Sequence, residues 1–194
     1  METKIDNIFI IHRQQDKVRE EHLNHLIKKL KKISSCNPII IEPESWKEDT
    51  SELICIWSKA KWKRQGCISL YHTYKKILEK VVDDKLNKVL ILEDDAVLKE
   101  WGELPIDKHI VFLLTINYNG KQISNIANYY HNWNKTEELL LSMSQYYKKK
   151  NNRFKSLDIE FSNLKEKYEL KYGYLNYFWY KQFKSTLGND KYYY

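Results

Sequence analysis

The segment Lys88-Val-Leu-Ile-Leu-Glu-Asp-Asp95 ends in three consecutive acids, Glu93, Asp94 and Asp95, directly after an apolar run. In open α/β sheets, ligands bind beyond the carboxyl ends of the strands. Three adjacent carboxylates repel one another unless something offsets their charge, and a divalent cation does so. Hard oxygen donors suit magnesium or manganese, which also grip diphosphates. The two-residue period of a strand sends Glu93 and Asp95 to one side and Asp94 to the other. The expectation is therefore Asp95, helped by Glu93, toward a metal, with Asp94 toward a ribose, a sugar or a neighbouring loop. The plainer reading is a capped turn before Ala96-Val97-Leu98, and phosphatases and nucleases also set acids at strand ends.

Residues 8–12, Ile-Phe-Ile-Ile-His, read as a buried strand. Asp16 sits at an N-cap position, followed by Glu20 and Glu21, then by Leu23, Leu26, Ile27, Leu30 and Ile33 at helical spacing, with lysines in the last turn. Ile39 to Ile41 make a second strand, completing a βαβ unit. Gly66 opens a helix with Leu70, Tyr71, Tyr74, Ile77, Leu78 and Val81 on one face. Val89 to Leu92 reads as a central parallel strand and residues 110–114 as another. Strands alternating with helices predict an α/β fold, a mostly parallel sheet flanked by helices. After residue 117, Asn, Lys and Tyr dominate, and 13 of the 15 Tyr lie there. Leu140, Met143 and Tyr147 suggest one helix; Phe161, Leu164 and Tyr168 suggest another, with Asp158 near its start. The expected organisation is one domain over 1–194, an α/β half at 1–117 and a helical, aromatic-rich lobe at 118–194.

The 194 residues are 42% hydrophobic and 30% charged, which suits a globular chain and excludes a disordered one. Only 5 Gly and 3 Pro argue against a many-stranded sandwich or barrel. The net charge of +7 favours anionic partners such as nucleotides, phosphate esters or nucleic acid. No apolar run approaches the roughly 18 residues of a membrane span. No secretory pattern is legible at the N-terminus, and the three cysteines lack metal-type spacing, so a cytoplasmic, reducing setting is the expectation.

Gly66-Cys67, the Lys-rich amphipathic helix and Val-Leu-Ile-Leu-Glu-Asp-Asp-Ala-Val-Leu together resemble glycosyltransferase family 25, which includes lipopolysaccharide-biosynthesis and procollagen galactosyltransferases. The specific part of the resemblance is residues 66–98. It implies a GT-A-type nucleotide-diphospho-sugar transferase fold. It also implies an inverting transfer of a hexose, galactose or glucose, from a UDP-sugar to a glycan, lipid or protein acceptor, aided by Mn2+ or Mg2+. On that resemblance Glu93 and Asp95 hold the metal, and Asp94 or Asp158 serves as base toward the acceptor hydroxyl. His12, Arg13 and Arg19 follow the first strand and approach the donor. Leu70-Tyr71 stand where the family carries Ser-His, so Ser69 and His72, three apart on a helix, are the polar substitutes. Gln182 and Ser185 resemble the family's late Gln and Ser.

Each of these residues also has a plainer role: helix cap for Asp158, exposed helix charge for Arg19, structural histidine for His12. Trp133, Tyr177, Trp179 and Tyr180 either line an acceptor groove or belong to the core. Two rival functions follow from the same residues. One is an inactive glycosyltransferase-like scaffold, prompted by the altered Ser-His region. The other is a basic nucleic-acid-binding module, prompted by the net charge and the stretch Tyr146 to Lys155.

Overall fold

The computed structural model describes residues 5–44, 54–55, 61–105, 107–114, 116–118, 121–123, 127–140, 153–154 and 171–180. In chain order the elements are β1 (Asn7–Ile11), α1 (Lys17–Leu30), β2 (Ile39–Ile41), β3 (Ile54–Cys55), α2 (Lys61–Asp83), β4 (Val89–Glu93) and β5 (Ala96–Leu98). They continue with β6 (Ile110–Phe112), β7 (Ile116–Tyr118), β8 (Lys121–Ile123), β9 (Ala127–Tyr130), β10 (Arg153–Phe154), β11 (Tyr172–Tyr174) and β12 (Phe178–Tyr180). Residues 133–140 are also helical.

The central sheet has six strands in the order β11-β6-β9-β4-β1-β2. β1 runs parallel to both β2 and β4, and β6 runs parallel to β11; β9 alone is antiparallel to its neighbours β4 and β6. The five parallel strands therefore present their carboxyl ends at one edge. Strand alternation divides the core in two. Ile8, Ile10, Leu90 and Leu92 face α1, against Leu23, Leu26 and Leu30. Phe9, Ile11, Val89 and Ile91 face α2, against Tyr74, Ile77, Leu78 and Val81. Each such fully buried side chain contributes about 1.5–3 kcal/mol, so both helices are held by their apolar stripes.

The expected βαβ unit is present, and α1 starts where the capping acid predicted: Asp16 accepts a hydrogen bond from the Arg19 backbone N–H at 3.3 Å. α2 begins at Lys61, five residues before Gly66, so that glycine is inside the helix. Trp62 to Gln65 are tolerable helix residues, and one interior Gly costs only about 1 kcal/mol relative to Ala.

Element types in the second half differ from expectation. Ala127–Tyr130 is a strand in the middle of the sheet, buried at every residue, and Tyr172–Tyr174 and Phe178–Tyr180 are strands as well. Asn128 is fully buried because its amide donates to the Tyr74 hydroxyl at 3.2 Å. Of the helix expected through Leu140, Met143 and Tyr147, Leu140 is helical, closing the described helix 133–140; Met143, Tyr147, the helix expected through Phe161–Tyr168 and Lys148–Lys150 lie outside the described residues. Among the described residues no helix is long and apolar enough to cross a membrane.

Candidate functional site

From β1 the chain crosses through α1 to β2 on one flank, then returns through α2 to β4 on the other. α1 and α2 consequently cover opposite faces. The order of strands reverses between β1 and β4, the position where open α/β sheets form a ligand crevice at their carboxyl edge. His12 and Arg13 follow β1 at that edge, and Glu93, Asp94 and Asp95 end β4. The ladder continues past both strands: Asp94 N–H donates to Ile11 O at 3.0 Å and His12 N–H to Ile41 O at 3.0 Å.

The pairing of Ile11 with Glu93 puts His12 beside Asp94. His12 Nδ1 lies 2.9 Å from Asp94 Oδ2, with both residues buried. The other Asp94 oxygen accepts from Arg19 Nη1. Arg19 reaches this point from the first turn of α1. Its Nη2 is 3.8 Å from Asp95 Oδ2 and its Nε is 3.6 Å from Asp16 Oδ2. Burial opposes the Arg19 charge, but Asp94, Asp95 and Asp16 outweigh it and hold the guanidinium protonated. Asp94 thus ties β1, β4 and α1 together through both of its oxygens.

Asp95 is in a different situation. Its Oδ1 is buried and accepts no hydrogen bond, and at 3.8 Å the guanidinium is beyond hydrogen-bond range. Burial pushes its carboxyl up to about 6, Arg19 pulling down and Asp94 pushing up. Glu93 and Asp95 both act on the buried Tyr74 hydroxyl of α2, whose pKa is raised by burial first, then by Tyr130 and Glu93, with a smaller push from Asp95. Glu93 acts toward Tyr74 of α2, whereas Asp94 and Asp95 both face Arg19 of α1.

No three His, Cys, Asp or Glu side chains among the described residues converge as a cage for a metal. A magnesium-like ion does not need one. It binds through one or two carboxylates, keeping its remaining positions for water and phosphate oxygens. A buried carboxylate oxygen with no hydrogen bond, at a charge-rich strand end, is a donor of the right chemistry for that arrangement.

Arg13 is exposed at the same edge. Ser69 is committed elsewhere: its hydroxyl donates to the Glu44 carbonyl, and neighbouring Thr73 Oγ1 donates to Ser69 O at 2.7 Å while accepting from Glu44 N–H at 2.9 Å. These bonds fasten α2 to the chain leaving β2. His72 is half-buried on α2, edge-on to the Tyr71 ring at 5.5 Å. Asp158, Gln182 and Ser185 lie outside the described residues. The geometry thus gathers His12, Arg19, Glu93, Asp94 and Asp95 into one cluster and adds two residues that the sequence left aside: Asp16, read only as a cap, and Tyr74, read only as core. Register supplies the signal for the His12–Asp94 contact, since each residue is the first after a strand and those strands are neighbours.

No protein-family model matches the chain, and no curated protein matches it. Among solved structures it is similar to the crystal structure of a glycosyltransferase involved in the glycosylation of the major capsid of PBCV-1. The two are 10% identical, the likeness covers 88% of this chain and 81% of that one, and the TM-score is 0.55. At that identity the likeness establishes the fold: this chain has the layered α/β architecture of a glycosyltransferase, consistent with the GT-A type that the acid-containing segment resembles.

Proposed function

We propose that the protein is a cation-dependent glycosyltransferase that moves a hexose from a UDP-sugar to a glycan, lipid or protein acceptor. The observation that carries this reading is the half-buried Asp95 carboxylate, whose Oδ1 is buried without a hydrogen bond at the strand-order reversal of a glycosyltransferase fold. Asp95, with Glu93 beside it, would hold Mn2+ or Mg2+, which when bound neutralises charge on the departing nucleoside diphosphate. Arg13, exposed at the same edge, would meet phosphate oxygens. Arg19 is placed differently: its guanidinium is spent on Asp94 and Asp16, so it orients the acid turn and limits the repulsion that two adjoining carboxylates would otherwise exert.

Asp94 has both oxygens engaged by His12 and Arg19. In that arrangement it fixes the backbone of the turn so that Asp95 keeps its direction, which is a positioning role. In this reading Asp158 would take the acceptor proton, with inversion at the sugar carbon.

The test is UDP release from a panel of UDP-hexoses with Mn2+ present, with Asp95→Asn as the comparison. Turnover by the parent protein with at least one donor, falling about a hundredfold or more in the variant, is the expected result. Equal turnover by the two proteins would remove Asp95 from the site.

A further inference from the structure

We propose that Arg19 is a resident counter-charge of Asp95. It makes the acid turn a poor seat for a bare dication and a good one for a dication already chelated by a diphosphate. The preference for the chelate rests on the glycosyl-transfer reading above; the resistance to a bare dication does not.

Arg19 is fixed at both ends. Its backbone N–H donates to Asp16 Oδ1 at 3.3 Å in the first turn of α1, and the packing of Leu23, Leu26 and Leu30 against β1 and β4 sets where that turn lies. The side chain then crosses to the end of β4. Nη1 donates to Asp94 Oδ1, Nε lies 3.6 Å from Asp16 Oδ2 and Nη2 lies 3.8 Å from Asp95 Oδ2. A guanidinium is planar and its donors form a rigid fork. With Nη1 bonded to Asp94 and Nε turned to Asp16, Nη2 stays beside Asp95. The Arg19 and Asp95 side chains are 26% and 18% exposed, so water screens this pair only in part.

The contacts with Asp94 and Asp95 differ in kind. Asp94 is hydrogen-bonded by the guanidinium, whereas Asp95 is met by charge alone, because 3.8 Å exceeds hydrogen-bond range. Asp95 Oδ2 faces Arg19; Asp95 Oδ1 is buried and accepts no hydrogen bond. The donor atom that suits a cation is therefore unbonded, while the charge of its carboxylate is already partly offset. A bare dication on Asp95 shares that carboxylate with a fixed positive charge. Like charges of one and two units so close together weaken uptake by about tenfold even with the dielectric constant of water between them. A dication chelated by a nucleoside diphosphate carries a net negative charge, and the same guanidinium attracts it. Arg19 thus couples the cation to the donor, and the coupling acts equally in both directions.

The experiment titrates Mn2+ at about pH 8, where carboxylates are ionised, and reads uptake by paramagnetic resonance with and without UDP. The proteins are the parent, Arg19→Lys, Arg19→Gln, and Arg19→Gln combined with Asp95→Asn, each checked for folding by circular dichroism. Without UDP, Arg19→Gln should bind Mn2+ about tenfold more tightly than the parent. Arg19→Lys, which keeps the charge, should stay at the parent level, and the combined variant should lose the gain. With UDP present, the advantage of Arg19→Gln should vanish. Uptake by Arg19→Gln no tighter than by the parent would overturn the proposal. A gain that persists in the combined variant would also overturn it, because Asp94, stripped of its partner, would then be the ligand. If Arg19→Gln does not fold, the side-chain nitrogen NMR signals of the four arginines decide the matter. Mg2+ should shift the Arg19 signal in the parent and not in Asp95→Asn, and no shift in the parent would overturn the proposal. If the Arg19-dependent gain is found while UDP leaves uptake unchanged and no UDP-hexose is turned over, the counter-charge stands and the transferase reading falls.

Discussion

Burial pushes the Asp95 carboxyl up to about 6, against 3.8 for the free side chain, with Arg19 opposing the shift and Asp94 adding to it. Between those two values the folded protein binds a proton that the unfolded chain does not, so stability falls as pH rises through the window. Asp95 at neutral pH is therefore a destabilising charge. Asp95→Asn should raise the melting temperature near pH 7 in cation-free buffer, and the gain should shrink as pH is lowered toward about 4. The same substitution abolishes transfer in the proposed function, so stability and activity move in opposite directions, as they do where a site is strained for use. Because a cation needs the ionised carboxylate, Mn2+ uptake should weaken as pH falls through about 6. Substitution of Asp94 lowers stability instead. Asp94→Ala strips a buried acceptor from both His12 and Arg19, and urea denaturation should show a loss of about 3–5 kcal/mol.

At the scale of elements, α1 and the ends of β1 and β4 form one unit. Asp16→Ala removes the cap of α1 and the acid beside Arg19 Nε; it should cost about 1 kcal/mol or somewhat more, read by thermal melting. α1 was legible because cap, apolar stripe and basic end agree with one another. β4 was legible because four apolar residues run into acids. β9 was not: Ala-Asn-Tyr-Tyr has no apolar alternation, and nothing local announces that Tyr74, 54 residues earlier, receives the Asn128 amide. Asn128→Ala removes that bond at the centre of the sheet and should destabilise by about 1–3 kcal/mol. The Arg19–Asp94 contact was equally hidden, since it spans 75 residues and depends on which face α1 covers.

Across the whole molecule, composition and the strand–helix alternation of residues 8–92 were enough to predict a mostly parallel α/β sheet, and the fold likeness agrees with it. The tyrosine-rich second half read as a helical lobe because Tyr and Asn are ambiguous by periodicity; in the fold part of it completes the central sheet and adds the β5–β12 ribbon. The acid cluster was legible as a candidate site from its position alone, whereas its wiring was not. The net charge of +7 favours an anionic donor. UDP and Mn2+ together should raise the melting temperature more than the sum of their separate effects, the whole stabilisation reaching about 2.7 kcal/mol at a hundredfold excess over Kd.

The measurement closest to the central claim is the paramagnetic resonance of Mn2+ titrated with the protein and UDP. Free aqueous Mn2+ gives a strong signal that binding broadens away. With UDP present, the parent protein should deplete that signal stoichiometrically and Asp95→Asn should leave it at the level of UDP alone. Equal depletion by the two proteins would show that the ion sits elsewhere, and the Asp95 carboxylate would lose its assigned purpose.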